Sequence, residues 1–389
     1  MYVKPCIRDI VRVGGQQGRA GFLRLDMNEN PGGLPSDFVE DVKQDLTPEY
    51  LATYPEESVT KRLLAAYLND TLNECLAGDV SEFSEDKLAR ETVKSAAAAD
   101  LPGGCTVTEK HLCLTNGSDM AIRYIYEIFA EPGSVVVTVA PSFEMYRINS
   151  LIFGLEHRPV AIGEDFTIPV SDVLAAIRED TDLVVLLNPN NPIGRPYTDA
   201  EFAAIADRAN EVGALVIVDE AYHYFYRHTF LKQALQRDNV IVLRTFSKLL
   251  SLAGCRFAYM TAQPQLIEYV NHVRPSFEVN AVALKFAEHL LQRPELITDL
   301  QSQADAGKAL LVRELRERGY EVHEEAGNFV FMKPLHLSAG DLAARLETEQ
   351  KVLVKTYGSP LLRPYLRIST GAPQYMEAFL RALSETDVR

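Results

Sequence analysis

From about residue 112 the chain alternates short apolar runs with amphipathic stretches. The runs "GSVVVTVA", "DLVVLLNP", "ALVIVDEAY" and "NVIVLRTFS" show little polar alternation, the pattern of strands buried on both faces. Between them, "TDAEFAAIADRANEVG" sets Phe202, Ile205, Ala206 and Ala209 at helical spacing and stops at Gly213. That rhythm predicts an α/β fold built on a mostly parallel sheet with helices on both sides.

The C-terminal third breaks the rhythm. One long helical stretch from about 279 to 317 is followed by "YEVHEEAGNFVFMKP", "VLVKTYG" and "YLRISTG", which predicts a smaller α+β domain. The expected division is an N-terminal arm over 1–45 that packs on the small domain, a large domain over 46–275, and the small domain over 276–389. Residues 73–110 have mixed polarity and weak periodicity and read as an insertion within the large domain.

Charge and cysteine content narrow the setting. With 39 basic against 54 acidic residues and a formal charge of −15, the surface is a poor match for nucleic acid or an anionic membrane. The five cysteines are scattered, and no two are spaced as in a zinc or redox site, so no metal is expected and a reducing compartment is. The N-terminal "MYVKPCIRDIVRVGG" lacks the apolar core of a secretory signal and the apolar runs are too short to span a bilayer, which predicts a cytoplasmic protein.

In an open parallel sheet, ligands collect beyond the carboxyl ends of the strands, so the polar residues that follow each apolar run carry the candidate chemistry. Ser118 and Asp119 in "TNGSDM" open an amphipathic helix, where free N–H groups suit a phosphate or simply an ordinary cap. The turn "NPNNPIG" is built to aim an asparagine amide, or only to turn the chain. Asp219 ends a β-branched run, where a carboxylate is costly to bury unless it meets a cation. The chain has no G-x-x-x-x-G-K-[ST] loop, which removes the nucleotide-hydrolase reading of that acid. Lys248 follows the next run, and a partly desolvated lysine can lose its proton and attack a carbonyl carbon. Arg256, beyond Gly254, can pair with a phosphate. Each has a plain structural reading alone. Together they supply what pyridoxal 5'-phosphate needs, namely an amine for its aldehyde, an anion for its ring nitrogen and a cationic grip for its phosphate.

In this setting the motifs "LDMNENP", "YP" at 54–55, "NGSD", "APSFEMYR", "NPNNPIG", "VDEAYHYF", "TFSKLLSLAGCRFAY", "GNFVF" and "LRISTG" matter as an ordered set. In this order the chain resembles the fold-type I pyridoxal-phosphate aminotransferases, and within them the histidinol-phosphate aminotransferases. The resemblance implies an aspartate-aminotransferase-like large domain with a seven-stranded sheet. It implies that Lys248 binds the cofactor aldehyde and later moves the substrate proton, that Asp219 pairs with the ring nitrogen, and that Asn191 and Tyr222 bond the ring's phenolic oxygen. It further implies that Phe143 stacks on the ring and that Ser118, Asp119, Thr245, Ser247 and Arg256 hold the phosphate. Tyr54 would reach the cofactor phosphate of a neighbouring subunit, which makes the expected assembly a homodimer. Arg367 would clamp the acid group of the substrate, and Lys355, where relatives often carry arginine, would assist.

The activity the resemblance implies is amino transfer between histidinol phosphate, or a similar L-amino compound, and 2-oxoglutarate. The alternatives are an aromatic or other amino-acid aminotransferase, and a decarboxylase of the threonine-phosphate type on the same cofactor.

Overall fold

The computed structural model describes residues 3, 5–8, 10, 18–77 and 106–388. Most of the expected insertion, 78–105, lies outside the described residues. Among the described residues there are twelve strands, β1 Leu23–Leu25, β2 Leu112–Asn116, β3 Val135–Ala140, β4 Glu156–Ala161, β5 Thr181–Leu187, β6 Leu215–Asp219, β7 Val240–Thr245, β8 Phe257–Ala262, β9 Glu321–Glu324, β10 Phe329–Lys333, β11 Val352–Val354 and β12 Leu366–Ser369.

Seven of them form one sheet in the order β2-β8-β7-β6-β5-β3-β4. Its strands run parallel except β8, which is antiparallel to both neighbours. The fold is thus the α/β architecture the apolar rhythm predicts. All five residues of β6 are buried, and alternate residues serve opposite helical layers. Val216 and Val218 join one core cluster, with Phe202 and Ile205, while Leu215 and Ile217 join another, with Ile122 and Ile125. Burial on both faces is the physical reason these runs lack polar alternation.

The C-terminal part carries an antiparallel sheet, β12-β10-β9, and β11, which pairs in parallel with β1 of the N-terminal arm. Leu25 of β1 is fully buried in the same cluster as Val330, Met332 and Phe379. The stretch expected to form one long helix is two, Ala281–Leu291 and Pro294–Glu317. Pro294 sits in the first turn of the second, where its missing N–H costs nothing, and its ring forbids continuation from the first. The first helix packs into the large-sheet core. The second spans both cores, with Leu300 and Ala304 on the large-sheet side and Leu311 and Leu315 on the other. Among the described residues no helix is long and apolar enough to cross a membrane.

Candidate active site

The carboxyl edge of the large sheet gathers the polar residues that the sequence places after each apolar run. β6 ends on Asp219, β7 on Thr245, just before Ser247 and Lys248, and β5 leads into Asn188–Gly194. Because β8 runs in the opposite sense, its start lies at this edge, and Arg256 immediately precedes it. Asp219, Thr245, Ser247, Lys248, Arg256 and Asn191, with Ser118, Asp119, Phe143 and Tyr222, line a cavity of about 150 Å³.

One end of the cavity is an anion cradle. Ser118 opens the helix Ser118–Phe129, and the amides of Ser118 and Asp119 lie ahead of its first backbone hydrogen bond, from the Met120 N–H to the Gly117 carbonyl at 3.2 Å. Thr245 Oγ1 lies 2.9 Å from Ser247 Oγ and accepts from the Ser247 N–H at 3.1 Å. The Arg256 guanidinium lies 3.3 Å from the Asp119 carboxylate, and both remain part-exposed. Gly117 (φ 78°) permits that arrangement, since a Cβ there would overlap the Arg256 guanidinium. Asp119 thus offers the cradle a backbone N–H while its carboxylate orients the arginine.

At the other end the Asp219 carboxylate is buried, 4% exposed. Its Oδ2 accepts from the Tyr146 hydroxyl at 2.6 Å and its Oδ1 from the Ala221 N–H at 3.0 Å. Burial raises its pKa above the ordinary value, against the opposing pull of these two hydrogen bonds and of Lys248. A buried acid in this condition gains most from a cationic partner in the cavity. Lys248 Nζ donates to the Met27 carbonyl at 3.0 Å. Burial, reinforced by the charge of Arg367, brings its pKa down to about 8.

Arg367 stands beside the cavity, 5% exposed. Its NH1 donates to Asn191 Oδ1 at 3.0 Å and its NH2 to the Asp26 carbonyl at 2.6 Å, between the rings of Phe329 and Tyr357. Its Nε has no hydrogen-bond partner and no carboxylate faces it among the described residues. Such a guanidinium is an acceptor-hungry site for an acid group. Lys355 exchanges both backbone hydrogen bonds with Arg367, so the two share a sheet face, but Lys355 is exposed and does not line the cavity. Tyr54 lies outside the cavity of its own chain, 73% exposed and stacked on Phe277 with ring centroids 4.4 Å apart.

Three neighbours of the site do not stand out in the sequence as site residues, although each lies within a motif of the resemblance. Tyr146 looks like a core aromatic within the helix Glu144–Phe153. Asn28 reaches Tyr222 across a chain separation of 194 residues, and Ser369 reaches Asn28 across 341.

Comparison with known proteins identifies the family. A family-wide sequence model described as aminotransferase class I and II matches residues 22–383. A histidinol-phosphate aminotransferase of Burkholderia pseudomallei is 30% identical over 384 residues, covering 97% of this chain and 96% of that one. One from Chromobacterium violaceum is 30% identical, covering 93% and 92%. Among solved structures, the histidinol-phosphate aminotransferase of Sinorhizobium meliloti in complex with pyridoxal-5'-phosphate superposes with a TM-score of 0.78 at 21% identity, covering 99% and 97%. An aspartate aminotransferase double mutant of Thermus thermophilus gives 0.75 at 17%, covering 100% and 99%. The fold, the ordered motifs and the full-length match together establish that this chain belongs to the class I and II aminotransferases, enzymes that work with pyridoxal phosphate.

Proposed function

We propose that this aminotransferase moves an amino group between histidinol phosphate, or a similar L-amino compound, and 2-oxoglutarate. The observation that carries the reading is the meeting of Lys248, Asp219 and the acid-free, buried Arg367 around one cavity. Relatives named for histidinol phosphate, at 30% identity over nearly the whole chain, support the choice of donor.

The donor set suits pyridoxal phosphate. Ser118, Thr245, Ser247, Arg256 and the amides at Ser118 and Asp119 would hold its phosphate, and Phe143 would pack on its ring. When bound, the cofactor supplies an aldehyde carbon and a ring that accepts charge as the substrate carbon loses its proton. Asp219 holds the proton on the ring nitrogen, which suits a buried carboxylate short of cationic partners. Asn191, whose Oδ1 is engaged by Arg367, has its Nδ2 to donate, and Tyr222 has its hydroxyl. Arg367 binds the acid group of the substrate and so sets which bond at the α-carbon is presented for cleavage. Lys248 Nζ would take the proton from the α-carbon and return it to the former aldehyde carbon, across the nitrogen that joins the two. Lys355, on the same sheet face as Arg367, adds positive charge for a phosphate-bearing donor.

We infer further that the enzyme acts as a homodimer in the cytoplasm. The exposed Tyr54–Phe277 stack, with exposed Leu51 beside it in sequence, supports an interface there, from which Tyr54 would serve the partner's phosphate cradle.

The test is a single-turnover screen of purified enzyme with histidinol phosphate, phenylalanine, tyrosine, histidine and glutamate. Rapid conversion of the bound cofactor to its amine form by histidinol phosphate and by glutamate is expected. Indifference to histidinol phosphate beside rapid reaction of another donor would reassign the substrate, and carbon dioxide release without that conversion would mark a lyase.

A further inference from the structure

Tyr222 lines the cavity, and its side chain is buried. Its hydroxyl oxygen accepts a hydrogen bond from Asn28 Nδ2 at 2.8 Å. An amide NH2 donates and cannot accept, so the phenolic proton of Tyr222 is not spent on Asn28 and must point elsewhere. Which end of the Asn28 amide meets Tyr222 is decided on the far side. The backbone N–H of Asn28 donates to Ser369 Oγ at 2.9 Å, which leaves the hydroxyl proton of Ser369 for Asn28 Oδ1, also at 2.9 Å. With Oδ1 held there, Nδ2 is the end presented to Tyr222. The backbone of Asn28 is fixed as well. Its carbonyl accepts from Asn328 Nδ2 at 2.9 Å, and it adopts the left-handed conformation (φ 57°) that asparagine tolerates better than most residues. Asn28, Asn328 and Ser369 are 0–1% exposed, so water does not compete for these bonds.

We propose that Asn28 is a positioning residue that makes the Tyr222 hydroxyl a hydrogen-bond donor into the cavity, and that Ser369 sets the direction of the Asn28 amide. The inference rests on the reading above that Tyr222 faces the phenolic oxygen of the cofactor. Burial holds the Tyr222 pKa up at about 12, so the proton to be directed is present throughout the working range. A donor aimed at that oxygen favours its ionised form, and losing the donor raises the pH at which the bound cofactor ionises. The groups that act electrostatically on Tyr222 are Arg367, Asp219 and Tyr357, with Lys248 Nζ 5.9 Å from its ring centroid, and the test leaves all four unchanged.

The test is a pH titration of the visible absorption of the holoenzyme, paired with the dissociation constant of the cofactor by equilibrium dialysis. It uses Asn28→Asp, Ser369→Ala, Tyr222→Phe and the double variant Asn28→Asp/Tyr222→Phe. Aspartate tolerates the left-handed backbone but would accept the tyrosine proton instead of donating to its oxygen. Asn28→Asp should raise the titration midpoint by about one pH unit and weaken cofactor binding roughly tenfold. Ser369→Ala, which adds no charge and keeps the proposal testable if Asn28→Asp folds poorly, should shift both in the same direction by less. In the Tyr222→Phe background the Asn28→Asp shift should largely vanish. A shift of equal size in both backgrounds would reveal a through-space charge effect and overturn the proposal, as would a Ser369→Ala titration identical to that of the native enzyme. Tyr222→Phe with native midpoint and affinity would overturn the underlying placement of Tyr222 together with the proposal.

Discussion

Lys248 owes its readiness near neutral pH to its surroundings. At pH 7 an amine with a pKa of about 8 is about one-tenth neutral, against about three parts in ten thousand at the ordinary value of 10.5. The sign follows directly. Below pH 8 the charged form dominates, so capture of pyridoxal phosphate by the apo-protein should quicken about tenfold per pH unit as pH rises, then level above 8. Stopped-flow absorbance reads this, and a rate still climbing tenfold per unit to pH 10 would return the amine to its ordinary value. Lys248→Ala should lower multiple-turnover transamination by about 10⁴-fold or more, since it removes the group proposed to move the proton. Arg367→Lys keeps the charge but loses the planar fork, so the KM of the acid-bearing substrate should rise roughly tenfold. Asp219, Lys248 and Arg256 were legible because each interrupts an apolar pattern at a strand end. Asn28 lies inside the motif "LDMNENP" but does not stand out, because the residue itself signals only a turn there and its contacts lie 194 and 341 residues away.

At the scale of elements, the same edge of one sheet holds the site because strand direction decides which end of each strand faces it. The parallel strands were legible from their apolar runs. The reversal of β8 was not, since an antiparallel central strand buried on both faces has the same composition as a parallel one, yet it is what brings Arg256 to the edge. The apolar periodicity predicts one helix from about 279 to 317 and misses the break at Pro294. Two substitutions probe how these elements are locked. Arg244 and Glu220, at the ends of β7 and just beyond β6, form a buried ion pair at 2.8 Å, 2% and 0% exposed, next in sequence to Thr245 and Asp219. Arg244→Met leaves Glu220 buried without its cation and should cost about 3–5 kcal/mol in a denaturant titration. Gly307, midway along Pro294–Glu317, meets the backbone of Gly371 so closely that any Cβ would overlap its carbonyl. Gly307→Ala should therefore destabilise by about 1–3 kcal/mol despite alanine's better helix propensity.

At the scale of the whole molecule, the N-terminal arm joins the two sheets at the site. The consecutive carbonyls of Asp26, Met27 and Asn28 accept from Arg367 of β12, from Lys248 at the end of β7 and from Asn328 before β10. Arg367 and Lys248, the proposed substrate clamp and proton carrier, are thereby tied mechanically to one short stretch of backbone. One chain still leaves Tyr54 pointing away from its own cavity, while Arg256 and Asp119 remain part-exposed at the phosphate cradle. A dimer that seats Tyr54 of one subunit against the cradle of the other accounts for both facts, and it makes each active site a joint product of two chains. Complementation tests this directly. Lys248→Ala should be inactive, and Tyr54→Ala should bind cofactor weakly. When the two are unfolded together and refolded as a mixture, about half the dimers are mixed, and each mixed dimer regains one site with a native lysine and a native tyrosine from opposite chains. Activity at limiting cofactor should then exceed the mean of the two variants refolded separately, towards about a quarter of the native value. If Tyr54 served its own chain, mixed dimers would gain nothing, and the mixture would show only the average of its parents.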